Sequence, residues 1–149
     1  MRFSDVAIVG AGPYGLSLAA HLADAGVDFR VFGKPMSTWR AHVPKGMLLK
    51  SDGFASNLSS PDPASTLKSY CALHALPYDD RLEPVPLATF TAYADWFRKR
   101  YTPMLETWNV ASINSSARGF VPYRCVARPV ARACLRGAAC RLQQHHGSP

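Results

Sequence analysis

Three glycines near the start of the chain, in Gly10-Ala11-Gly12-Pro13-Tyr14-Gly15, are spaced as G-x-G-x-x-G. Residues of this type at this spacing hold phosphate. Gly10 permits a tight turn, and Gly12 lacks the Cβ that would keep a pyrophosphate away from the backbone. Gly15 lets a helix lie close on a strand. Unpaired N–H groups and the positive end of the helix dipole then face the anion. Pro13 suits the first helical turn, where its missing N–H is not needed.

The motif carries weight only between a strand and a helix. Asp5 to Val9 is a short, largely β-branched run of the kind buried in a parallel sheet. The spacing predicts a helix from about Gly12 to Ala25. Leu16, Ala19, Ala20 and Ala23 share one face, and Leu18 and Leu22 line a second. Gly26 is a natural stop, and Asp28 to Phe32 supplies a second strand. The result is a β-α-β unit that binds a nucleotide. An acid usually ends the second strand of such a unit and accepts from ribose hydroxyls. This chain has Val31-Phe32-Gly33-Lys34 there instead, and Lys34 is a candidate phosphate contact.

Beyond Lys34, prolines and glycines break the chain into short pieces. Ser37 to Ala41 makes a turn around Trp39, and Thr66 to Ala75 reads as a short helix with Leu67, Tyr70, Cys71 and His74 on one face. Leu87 to Tyr101 is an amphipathic helix striped by Phe90, Tyr93, Ala94, Phe97 and Tyr101. Arg98, Lys99 and Arg100 cluster at its C-terminal end, where cations suit the dipole. The stripe reads as core and the basic cluster as a solvated helix end.

The chain has 149 residues, 48% hydrophobic and 18% charged, which is the composition of one globular domain. No apolar run is long enough to span a membrane, and the N-terminus carries no basic cap followed by an apolar block. Four cysteines without a pairing pattern suit a reducing, cytoplasmic setting. The net charge of +7 is unevenly spread. Up to Glu106, eleven Lys and Arg nearly balance all ten acids; from Thr107 onward there are six Arg, no Lys and no acid.

The opening Val6 to Gly15 resembles the FAD-binding start of flavin-dependent monooxygenases and related oxidoreductases with two dinucleotide-binding domains. Trp39, His42, Gly46-Met47-Leu48-Leu49-Lys50-Ser51 and the Ser59-to-Pro63 loop resemble the stretch that lies over the flavin in these enzymes. A more distant likeness is to siderophore amine N-hydroxylases. Val85-Pro86-Leu87 with Phe90, Tyr93 and Trp96 resembles the helix that follows. The likeness covers about residues 5 to 106. It implies an α/β fold: a Rossmann-like FAD-binding β-α-β unit with a helical and loop insertion, incomplete, followed by an irregular tail. It also implies FAD as cofactor, with NAD(P)H as reductant and O2 as co-substrate in the full-length family. Gly10, Gly12 and Gly15, with Pro13 and Tyr14 in the same turn, would hold the FAD pyrophosphate. Trp39, Met47, Lys50 and Ser51 would lie near the flavin or its ribityl chain. A short-chain dehydrogenase is the other enzyme considered, but its Tyr-x-x-x-Lys occurs nowhere.

Two departures from the family stand out. Gly33-Lys34 replaces the acidic ribose contact, and no second glycine motif for NAD(P)H follows, although family members are about three times as long. The sequence therefore divides into a partial FAD-binding domain over 1–110 and a basic Arg-, Ala- and Cys-rich tail over 111–149, expected to be poorly ordered from about Ser115. Arg124, Arg128, Arg132 and Arg136 recur every four residues, but Pro129 interrupts the helix such spacing needs and Pro122 precedes it. Cys125, Cys134, Cys140 and His145 are too far apart for a zinc site. The competing reading of the chain is a nucleotide-binding or regulatory module whose basic tail contacts nucleic acid. Abrupt loss of every acid favours an unselected extension, as from a shifted reading frame. The expectation is thus an FAD-binding part of an oxidoreductase, inactive as this fragment, with no membrane or nucleic-acid partner and an unspecified small-molecule substrate.

Overall fold

In the computed structural model, residues 3–116, 119–124 and 134–135 are described. A β-branched run, Val6–Val9 (β2), lies parallel to Phe29–Phe32 (β3), with Val6 opposite Phe29 and Val9 opposite Phe32. Between them runs the helix Pro13–Asp24 (α1), whose Leu16, Ala19 and Ala20 are buried. Small residues on that face let α1 sit close to the sheet. Ile8, Ala11, Ala19 and Val31 form the apolar layer between helix and strands. Gly26, at φ +67°, ends the segment in the left-handed conformation its lack of a Cβ allows.

Glu106 adds a third parallel position beside β3. Its N–H donates to the Val31 carbonyl at 2.9 Å, and its own carbonyl accepts from Gly33 at 2.9 Å. The connection between β3 and Glu106 holds the short helix Ser37–Ala41 (α2), 3-10 turns at Gly53–Ser56 and Pro63–Ser65, Leu67–Leu73 (α3) and Leu87–Tyr101 (α4). Leu49 N–H donates to Val85 O at 2.8 Å and Leu87 N–H to Met47 O at 2.9 Å, so two loop segments make a small antiparallel bridge ahead of α4. The helix expected over Thr66 to Ala75 is shorter than its apolar face. Thr66 caps it through its side chain, and the chain leaves at His74 because Ala75 turns left-handed at φ +52°.

Phe3–Ser4 (β1) precedes β2 in the chain and pairs in parallel with Cys134–Leu135 (β6). Val110–Ser116 (β4) and Gly119–Arg124 (β5) form an antiparallel pair, and β5 also pairs with β6. Strand structure thus begins at the boundary expected near residue 110 and continues through the described part of the basic segment. The rest of the expectation for that segment lies outside the described residues, as do five of its six arginines, Arg118, Arg128, Arg132, Arg136 and Arg141. Among the described residues no helix is long and apolar enough to cross a membrane.

The aromatic stripe of α4 is core. Phe90, Tyr93, Ala94 and Phe97 are buried with Leu16, Ala20, Met36, Leu67 and Tyr70 in one cluster, while Tyr101 is half-buried at its edge. Each such large side chain contributes about 1.5–3 kcal/mol by leaving water. Tyr93 also joins two loops. Its hydroxyl donates to Ser65 O at 2.7 Å and accepts from Leu58 N–H at 3.2 Å, with no exposure of the residue. Tyr93→Phe leaves both backbone groups unpaired, and should cost about 1–3 kcal/mol in urea unfolding without changing the helix content.

The segment from Ser59 to Ser65 is strapped across α1 and α4. Ser59 N–H donates to Ser17 Oγ at 2.9 Å, and Ser59 Oγ lies 2.8 Å from His21 Nε2. At the other end Asp62 meets Arg100 at 2.6 Å, and the Tyr101 hydroxyl bonds Ser60 and Ser65 at 2.9 and 2.6 Å. The Ala64 N–H, helped by the Arg100 charge and by Ser65 and Tyr101, holds the Asp62 carboxyl below its ordinary 3.8. A carboxyl lowered by folding contributes stability above its unfolded value and loses it as pH falls through the folded one. The gap in melting temperature between the wild type and Asp62→Asn should therefore be widest above about pH 5 and close as the pH drops below about 4.

Candidate functional site

The glycine turn is assembled by β2 and α1. Gly10 leaves β2 at φ +113°, a conformation that L side chains rarely adopt, and its N–H donates to Phe32 O at 2.8 Å. Gly12 caps α1 in an extended conformation, φ −84° and ψ −174°, with no side-chain cap. The N–H groups of the first helical turn therefore have no partner from within the helix or from a capping side chain. A Cβ built on Gly10 or Gly12 meets nothing within 4 Å. The space above these two residues is open, with backbone donors and the positive helix end beneath it, and it suits a pyrophosphate.

Gly15 differs in kind. A Cβ there would stand 1.9 Å from the Gly10 carbonyl oxygen and 3.3 Å from Ile8 Cγ2. Its role is the close packing of α1 on β2. Pro13 occupies the first helical turn, and Tyr14 is 92% exposed beside it.

The loop after β3 closes on the same turn. Gly33 is buried at φ +127°, and Met36 N–H donates to Ala11 O at 3.0 Å while the Met36 side chain is buried. Lys34 between them is exposed. Trp39 is half-buried and meets the Phe90 ring edge-on at 5.0 Å between centroids, so it packs α2 onto α4. Met47 is half-buried in the bridge before α4, Lys50 is exposed, and Ser51 Oγ lies 2.8 Å from Ser56 Oγ. The structure therefore joins Gly10–Gly15 to the Gly33–Met36 loop through main-chain contacts. No hydrogen bond among the described residues ties Trp39, Lys50 or Ser51 to the glycine turn.

Some residues near the turn carry no local sequence signal. Ser17 donates to Pro13 O at 2.8 Å while accepting from Ser59, so one hydroxyl links the first turn of α1 to the strap. Glu106 pairs with Arg30, whose Nε lies 2.7 Å from Oε1, and accepts from the Trp108 indole at 3.0 Å. Trp108 in turn packs on Phe32 at 4.8 Å. These contacts fix the far side of β3. Among the described residues no group of three or more His, Cys, Asp or Glu could hold a metal.

Residues 4–53 match the family model for the FAD binding domain. No curated protein matches by sequence. A flavin-containing monooxygenase from Stenotrophomonas maltophilia has a similar structure, with a TM-score of 0.70 at 19% identity. That match covers 91% of this chain and 37% of the monooxygenase. An ornithine N-hydroxylase from Kutzneria sp. 744 gives a TM-score of 0.72 at 17% identity, covering 91% and 36%. A bacillithiol disulfide reductase from Staphylococcus aureus gives 0.64 at 15%, covering 91% and 38%. The chain thus spans little more than a third of the length of these proteins, and over that span its fold is like theirs, with residues 4–53 matching the FAD binding domain.

Proposed function

We propose that this chain is the FAD-binding part of an NAD(P)H-dependent oxidoreductase of the monooxygenase type, and that alone it does not turn over. The observation that carries the reading is the open space above Gly10 and Gly12, set on the uncapped end of α1 within the span that matches the FAD binding domain. FAD, when bound, supplies hydride acceptance and oxygen chemistry. The protein's part is to hold and orient it. Gly10, Gly12 and the first-turn N–H groups take the pyrophosphate, with Pro13 fixing the turn and Tyr14 flanking it. Trp39, Met47, Lys50 and Ser51 belong to the insertion that would shield the flavin and its ribityl chain. A second glycine-rich turn, which would hold the nicotinamide dinucleotide, does not occur in the sequence.

The two kinds of glycine separate binding from folding. Gly12→Val should fold as the wild type does, since a Cβ there meets only open space, yet lose bound FAD as judged by absorbance after gel filtration. Gly15→Ala should lower the melting temperature sharply, because its methyl group collides with the Gly10 carbonyl. Equal flavin content in the wild type and Gly12→Val would remove the cradle from this turn.

Hydride transfer requires the nicotinamide to be held against the flavin, and such placement is worth several powers of ten in rate. The 149-residue chain with FAD should oxidise NADPH no faster than free FAD at the same concentration. Rapid, saturable flavin reduction in stopped flow would show that the chain is sufficient for the reductive half of the reaction.

A further inference from the structure

The outer edge of β3 changes character halfway along. Its later part is closed by Glu106, which takes the Val31 carbonyl and the Gly33 N–H. Before Glu106 the chain does not pair with the strand. It arrives from α4 through the turn Thr102–Leu105, where Leu105 N–H donates to Thr102 O at 3.2 Å. Between turn and strand lies a cavity of about 480 Å³, lined by Tyr101, Pro103, Met104 and Leu105 on one side and by Phe29 and Val31 on the other. Parallel pairing turns alternate residues of a strand toward opposite neighbours. Asp28 O and Phe32 O accept from Val6 and Gly10, so the Phe29 and Val31 peptide groups face away from β2. The Val31 N–H and the Phe29 C=O therefore open on the cavity, and neither has a hydrogen-bond partner among the described residues. Val31 is only 3% exposed, and a buried main-chain donor requires a partner.

We propose that this cavity binds a small planar heterocycle of the nucleobase kind, whose ring nitrogen accepts from Val31 N–H while the adjacent amino group donates to Phe29 C=O. In a paired parallel strand, these two groups would be satisfied by the C=O and N–H of a single residue. A ring nitrogen beside an amino group offers the same acceptor and donor side by side. The apolar side chains of the turn cover the ring, and the cavity has the size of a small-molecule site. An added peptide strand suits the place poorly. Glu106, held by its ion pair with Arg30, closes one end and leaves an edge too short for a run of main-chain bonds. The site is separate from the glycine turn. Phe29 lies four residues before Gly33, about 13 Å along the strand at about 3.3 Å per residue.

The test is a titration of the 149-residue chain with 9-methyladenine, followed at the Val31 amide in proton–nitrogen correlation spectra. The Val31 signal should move saturably, as expected of a donor that gains an acceptor. The N6,N6-dimethyl derivative keeps the ring nitrogen but has no amino proton to give. It should bind about tenfold more weakly, the effect of one hydrogen bond left unmade at a buried carbonyl. The shift should persist when FAD is present in excess. No saturable shift at Val31 would mean that the cavity holds solvent only, and would overturn the proposal. Equal binding of the two adenines would overturn it as well, since the Phe29 carbonyl would then play no part. A Val31 shift abolished by FAD would move the adenine to the glycine turn and strike this site.

Discussion

The carbonyl oxygen of Gly10 occupies the volume that a methyl group on Gly15 would need, 1.9 Å from where its Cβ would be. This close approach sets the height of α1 above β2, and much else follows from that height. It lets Ala11, Ala19, Ile8 and Val31 close into a thin apolar layer in which no larger side chain separates helix from strand. It also brings the N-terminal turn of α1 directly over the end of the sheet, so the unpaired N–H groups point into open space. The open space and the packing contact are two sides of one turn.

The opposite face of α1 depends on a second layer. α4 delivers Phe90, Tyr93 and Phe97 to it, and Tyr93 uses its hydroxyl to hold the backbone of two loops. The strap through Ser59 and Asp62 then crosses the seam between the two helices, tied to Ser17 and His21 on one and to Arg100 and Tyr101 on the other. The insertion is thereby clamped against the helix that begins at the glycine turn, which bears on any ligand lying across both.

What was legible in the sequence is what repeats or what only glycine can do. The β-α-β unit, the aromatic stripe of α4, the turn at Gly10 and the close packing at Gly15 rest on period and on backbone sterics, and the structure has them where those rules put them. The third parallel position at Glu106 had no such signal. It is a two-residue contact made by main-chain atoms, and its side-chain partner Arg30 is 76 residues away. The strap was hidden for the same reason, since Ser17 and Ser59 are common surface residues until a fold brings them together. Trp39, picked out by its type, packs its ring against Phe90 at 5.0 Å between centroids, a contact 51 positions apart that no local pattern announces.

That 76-residue separation has a kinetic side. The β2-α1-β3 unit needs only contacts between residues close along the chain, whereas Glu106 can join β3 only after a long loop has closed, and loop closure costs entropy before any contact repays it. On that ground the β2-α1-β3 unit should form before its third strand position does. A chain interrupted anywhere in the insertion still has the means to fold its glycine turn locally, but leaves β3 with an unprotected edge, the kind of edge that recruits strands from other molecules.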